Sequence, residues 1–172
     1  MITLSLSKKI QPIRALFLDV DGVFTDGGLY FDQNGECIKR FSVLDGYGIE
    51  QLHRAGIITA VISGRDMAAT RHRLAALGIM HLHMGVKNKL LIYQHLQSAL
   101  CLENEHIAYM GDDIPDLEAM QQAGLQIAPK NAVAAIKNQA DYITSLPGGH
   151  GAVREACDLI LSTQSGADQI TL

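Results

Sequence analysis

Asp19 and Asp21 stand two residues apart directly after the apolar run Ala15-Leu16-Phe17-Leu18, with Gly22 behind them. Residues i and i+2 of an extended chain point the same way, so both carboxylates face one side. Unpaired carboxylates side by side repel and resist burial, which demands a cation or a shared proton. An ordinary Asp-Gly turn closing a strand is the plainer reading of the same residues. A second acidic group, Asp112, Asp113 and Asp116, follows the apolar run Ile107-Ala108-Tyr109-Met110. Pro115 suits the first turn of a helix, which makes Asp113 a candidate N-cap and Asp116 a first-turn partner of the helix dipole. Those roles leave Asp112 unexplained. Ser63, Gly64 and Arg65 follow a third apolar run, and Lys89 sits in the first turn of a helical pattern. A cation there opposes the helix dipole, so either an anion lies in front of Lys89 or the side chain is simply solvated.

These groups need a scaffold that gathers strand ends. The run at 15–18 is apolar throughout, as a strand covered on both faces requires. Further strands are predicted over 57–62, 79–84, 107–110, 125–128 and 142–143. Helices are predicted over 47–55, around Leu74 and Leu77, after Pro115, and over 87–99, 132–138 and 152–161. Strand and helix alternate, which predicts an α/β fold with a doubly wound parallel sheet, whose ligands collect outside the carboxyl ends of the strands. Residues 28–41 read as a β-hairpin turning at Asp32-Gln33-Asn34-Gly35. An isolated hairpin is marginal in water, so Leu29, Phe31, Ile38 and Phe41 are expected to cover another subunit. The glycine-rich loop Pro147-Gly148-Gly149-His150-Gly151 is expected to move and help close the site. Residues 162–172 are expected to form a loose polar tail.

A chain of 172 residues with 48% hydrophobic composition suits one domain. The net charge of -4, with few aromatic residues and no Trp, argues against a nucleic-acid partner. No apolar stretch approaches the ~20 residues of a membrane span, and no signal-peptide core follows Lys8-Lys9. Cys37, Cys101 and Cys157 are odd in number and lack CxxC spacing, which fits a reducing cytoplasm better than a disulfide framework. His81 and His83 share a strand face, but a third zinc ligand is not evident.

In order, Asp19-Val20-Asp21-Gly22, an apolar strand into Ser63, the lone Lys89, and Gly111-Asp112-Asp113-Ile114-Pro115-Asp116 resemble the haloacid dehalogenase superfamily, from Ala15 to about Ala128. That resemblance implies that Asp19 is a nucleophile passing through an aspartyl phosphate and that Asp21 is the acid and base. It implies magnesium on Asp19, the Asp21 backbone carbonyl and Asp112, backed by Asp113 and Asp116. Phosphoryl oxygens would be held by Ser63, Gly64 and Lys89. An all-oxygen site of this kind suits magnesium.

The segments Val23-Phe24-Thr25-Asp26-Gly27, Asp45-Gly46-Tyr47-Gly48-Ile49, Gly85-Val86-Lys87-Asn88-Lys89 and Gly148-Gly149-His150-Gly151-Ala152-Val153-Arg154-Glu155 narrow the resemblance. They are similar to members that lack a separate cap domain and form homotetramers in which neighbours help to close each site. Those members hydrolyse acidic sugar phosphates for lipopolysaccharide precursors, which implies an eight-carbon sugar acid phosphate here, with a nonulosonate 9-phosphate as the alternative. Arg65 and Arg154 are candidates for the substrate's carboxylate or phosphate, since a guanidinium meets either with two prongs. Arg65 paired with Asp66 or another neighbouring acid is the structural alternative. His150 stands where Arg is expected in many relatives. A non-catalytic oligomerisation module, as in some acylneuraminate cytidylyltransferases, is the reading from another class, and the intact Asp19, Asp21, Lys89 and Asp112 oppose it.

Overall fold

The computed structural model describes residues 2–166. In chain order the elements are α1 (Leu4–Ile10), β1 (Ala15–Leu18), the hairpin strands β2 (Tyr30–Phe31) and β3 (Cys37–Ile38), α2 (Val43–Arg54), β4 (Ile58–Ser63), α3 (Ala68–Ala76) and β5 (His81–Met84). There follow α4 (Lys89–Ala99), β6 (Ile107–Met110), α5 (Leu117–Met120), β7 (Leu125–Ala128), α6 (Ala134–Gln139), β8 (Tyr142–Ile143) and α7 (Ala152–Gln164). Six strands form one sheet in the order β5-β4-β1-β6-β7-β8. Every neighbouring pair in it is parallel. Ala15 aligns with Ile58 on one side and Ile107 on the other, so the winding reverses at β1 and a crevice opens beyond its carboxyl end.

The continuous apolar character of β1 follows from burial on two faces. Leu16 and Leu18 enter the core beneath α1, α2 and α7, while Ala15 and Phe17 enter a second core with Tyr93, Leu96 and Tyr109. At about 25 cal/mol per Å² of apolar surface, such burial is what fixes the strand in the middle of the sheet.

Helix starts differ from the periodicity where a cap decides them. α2 begins at Val43 rather than 47, because the Ser42 hydroxyl accepts the Leu44 N–H at 3.2 Å. In α4, Asn88 accepts the Leu91 N–H at 3.0 Å, which places Lys89 at the first helical position. After Pro115 the chain makes one 3-10 turn, Ile114–Asp116, before the short α5. Helix α1 escapes the periodicity altogether, being a single capped piece whose Ile10 is buried. The expected tail from 162 is corrected in part: α7 runs to Gln164, whose amide reaches the Ile10 and Ile13 carbonyls at 3.1 and 2.7 Å. Residues 167–172 lie outside the described residues.

The hairpin turns as expected, with Asp32 Oδ1 accepting the Asn34 and Glu36 N–H groups at 2.8 Å. Phe41, however, packs against the main core, whereas Leu29, Phe31 and Ile38 are exposed. Among the described residues no helix is long and apolar enough to cross a membrane.

Candidate active site

The parallel ladder continues one step past β1, the Asp19 N–H donating to the Met110 carbonyl at 3.0 Å. Asp19 is therefore rigidly placed at the carboxyl edge of the central strand. The chain then turns tightly, with the N–H groups of Val23, Phe24 and Thr25 all converging on the Val20 carbonyl. Gly22 has φ +83°, and a Cβ there would fall 1.9 Å from Asp112 Oδ2. Only glycine lets Asp112 lie against this turn.

Lys89 projects from the start of α4 between two carboxylates, with Nζ 2.9 Å from Asp19 Oδ1 and 2.7 Å from Asp116 Oδ1. All three side chains are buried. The anion that the unfavourable helix position demanded is thus a pair of aspartates. Asp116 Oδ1 also accepts the Tyr109 hydroxyl at 2.7 Å, and burial together with Asp116 pushes that phenol well above its ordinary pKa. Asp113 caps the turn, accepting the Ile114 N–H at 2.8 Å.

Asp19, Asp112 and Asp116 bring oxygens within 4.8 Å of one another. Burial, reinforced by Asp116, raises Asp19 to about 7 against the opposing pull of Lys89. Burial and the charges of Asp19 and Asp116 likewise raise Asp112 to about 7. Carboxylates pressed together in this way are stabilised as anions by a hard cation. Asp116 already accepts from Lys89 and Tyr109, while the Asp112 carboxylate and the Asp21 carbonyl accept no hydrogen bond among the described residues. The available donors are therefore all oxygens, and they fit magnesium.

Ser63 is buried at the end of β4, its hydroxyl accepting the Arg65 N–H at 3.3 Å, and Gly64 follows it at the same edge. Arg65 does not pair with Asp66, which is taken by Arg71 at 2.6 and 2.7 Å. It turns instead to Asp21, with Nε 3.6 Å from Oδ2. The other Asp21 oxygen accepts the ammonium of Lys39, from the end of the hairpin.

Arg154 is placed apart from this group. Its guanidinium binds Asp158 at 2.8 Å and lies 4.7 Å above the Tyr47 ring. The Asp45-Gly46-Tyr47-Gly48 segment accounts for that position, since Asp45 Oδ1 caps α7 through the Arg154 N–H at 2.9 Å and Gly48 leaves room for the Arg154 backbone. The glycine loop is also a brace rather than a free flap. Gly149 N–H donates to the Val23 carbonyl at 3.1 Å, and Asn131 bridges the Gly22 carbonyl and the Gly148 N–H at 3.0 and 2.7 Å. His150 and the Gly149 carbonyl meet Arg40 at the end of the hairpin.

Lys39, Tyr109 and Asn131 were not identified from the sequence. Tyr109 left a sign, since a hydroxyl in a fully apolar strand needs a partner. Consecutive cations Lys39-Arg40 at the end of an apolar hairpin were a second sign; Asn131 left none. His83 and His95 have ring centroids 6.3 Å apart, but among the described residues only Asp19, Asp112 and Asp116 are gathered closely enough for a metal.

Comparison with known proteins agrees with this geometry. A family model for haloacid dehalogenase-like hydrolases matches residues 83–154. The 3-deoxy-D-manno-octulosonate 8-phosphate phosphatase of Salmonella typhi is 44% identical over 161 residues, covering 94% of this chain and 86% of that protein. The chain belongs to the 3-deoxy-D-manno-octulosonate 8-phosphate phosphatase family of haloacid dehalogenase-like hydrolases. The Yersinia pestis enzyme of that name has a similar structure, with TM-score 0.93, 41% identity, and coverage of 95% of this chain and 89% of the other. The Moraxella catarrhalis enzyme, solved with magnesium, phosphate and KDO, gives TM-score 0.93 at 40% identity, covering 97% and 96%.

Proposed function

We propose that the chain hydrolyses 3-deoxy-D-manno-octulosonate 8-phosphate to the free sugar acid and inorganic phosphate, with magnesium as cofactor, in the supply of a lipopolysaccharide precursor in the cytoplasm. The buried ion pair of Asp19 with Lys89 at the switch point of the sheet supports this most directly. It offers a fixed carboxylate nucleophile beside a cation able to receive phosphoryl oxygens. Asp19 attacks phosphorus, and an acyl phosphate forms as the bond to the sugar oxygen breaks. Asp21 gives its proton to that leaving oxygen. In the second half Asp21 takes a proton from water, whose oxygen attacks phosphorus and frees Asp19 and inorganic phosphate. Ser63, Gly64 and Lys89 hold the phosphoryl oxygens throughout. Asp19, Asp112 and the Asp21 carbonyl would hold magnesium, which when bound supplies positive charge against those oxygens. Asp113 and Asp116 support the set from behind, and Arg65 serves the sugar acid. Arg154 would reach substrate only by releasing Asp158 and Tyr47.

The same proposal includes a homotetramer, which the exposed apolar face of the hairpin supports. Phosphate release should be compared for 3-deoxy-D-manno-octulosonate 8-phosphate, a nonulosonate 9-phosphate and neutral hexose phosphates. The first should be preferred, chelator should abolish turnover, and so should Asp19→Asn. Equal turnover of hexose phosphates would reject the substrate, while full activity in Asp19→Asn or in chelator would reject the mechanism.

A further inference from the structure

Lys39 has no part in the chemistry above, yet its side chain is 2% exposed. Enclosing a flexible, strongly hydrated lysine costs rotamer freedom and hydration, so an anion must hold it there. Asp21 is that anion, and among the described residues it is the one hydrogen-bond partner of Lys39 Nζ. The Arg65 guanidinium faces the second oxygen of the same carboxylate. Two cations thus flank Asp21, whereas the nucleophile is served by Lys89. The origin of the lysine stem is fixed as well, because the next residue, Arg40, donates to the Gly149 carbonyl at 2.9 Å on the braced glycine loop.

We propose that Lys39 is a specificity residue that recognises the carboxylate of the sugar acid, exchanging its contact with Asp21 for one with the substrate. This rests on the substrate class proposed above. The phosphoryl group occupies the space around Asp19, Ser63 and Lys89, and the leaving oxygen faces Asp21. Whatever is bonded to that oxygen extends past Asp21, where Lys39 and Arg65 stand. An ammonium on a four-carbon stem can turn from one carboxylate to another without backbone movement. A neutral sugar phosphate brings no second anion, so Lys39 stays on Asp21, beside the path of the leaving oxygen. Discrimination then has an attractive part and an obstructive one.

The test compares wild type with Lys39→Met and the more polar Lys39→Gln. For each, kcat/KM is measured on 3-deoxy-D-manno-octulosonate 8-phosphate and on p-nitrophenyl phosphate, and inhibition is measured with the free sugar acid and with inorganic phosphate. Losing a charge-assisted hydrogen bond of about 1.5–3 kcal/mol should reduce the ratio of the two kcat/KM values roughly 10- to 100-fold. Inhibition by the sugar acid should weaken while inhibition by inorganic phosphate changes far less. Equal losses on both substrates, in either variant, would overturn the proposal and make Lys39 a support for Asp21. An unchanged ratio would overturn it too. A wild-type enzyme with no preference for the sugar acid phosphate would instead remove the substrate class, and the role of Lys39 with it.

Discussion

Asp19 is raised to about 7 by burial and the charge of Asp116, and Asp112 to about 7 by burial and the charges of Asp19 and Asp116, whereas in an unfolded chain each titrates near 4. A carboxylate whose folded pKa is raised contributes stability below its unfolded pKa, and that contribution is lost as pH climbs to the folded value. Metal-free protein should therefore be less stable at pH 8 than at pH 5, with the loss falling between about 4 and 7, and magnesium should restore it. Thermal unfolding in chelator and in magnesium at both pH values measures this, each kcal/mol moving Tm by roughly 2–4 °C at this chain length. Asp112→Asn should raise the metal-free Tm at pH 8 and abolish the response to magnesium. A lowered metal-free Tm would contradict the repulsion. At this scale the sequence was legible where local spacing alone decided a contact, as in Asp113 capping the turn at Ile114. It was silent on Lys39 against Asp21 and Asn131 against Gly22, because those partners meet only through the fold.

The loop at 147–151 shows how an element can be visible in sequence and its behaviour not. Its glycines are consistent with motion, but Gly148 and Gly149 are there for close approach. A Cβ on Gly148 would lie 1.9 Å from the Gly22 carbonyl, and one on Gly149 would lie 2.6 Å from the Asp26 nitrogen at φ +69°. Backbone atoms cannot step aside as a side chain can. Gly148→Ala should consequently displace the turn that carries Asp21, lowering kcat while far-ultraviolet circular dichroism stays near wild type. Gly35→Ala is the control, since φ is +81° there but nothing lies within 4 Å. Equal activity of the two variants would refute the brace. Helix α7 depends on a similar long-range contact, and Asp45→Ala should cost about 1 kcal/mol through the lost cap. Strands were easier to place than helix starts, because apolar runs mark a strand buried on two faces while a cap such as Ser42 shifts a helix by a whole turn.

Among the described residues of the whole molecule, several exposed apolar side chains adjoin one another in sequence on the hairpin and at the start of α2: Phe31 is 64% exposed, Ile38 57% and Val43 79%. Patches of this kind mark interaction sites. If the proposed tetramer is held by this surface, Phe31→Ser with Ile38→Thr should shift light scattering to smaller species, whereas Phe41, packed on the core, should affect stability instead. A wild-type monomer would reject the assembly. The brace on the nucleophile's turn has a further consequence, for the order of folding. Asn131 reaches back 109 residues to Gly22, and Gly149 reaches Val23. A ribosome adding about 5–20 residues per second leaves the turn after β1 unsupported for several seconds after it has emerged. Closing so long a loop is slow, and local pieces form first. The brace on the turn after β1 should consequently form late, and a nascent chain arrested before 131 should carry all three clustered aspartates yet show no phosphate release.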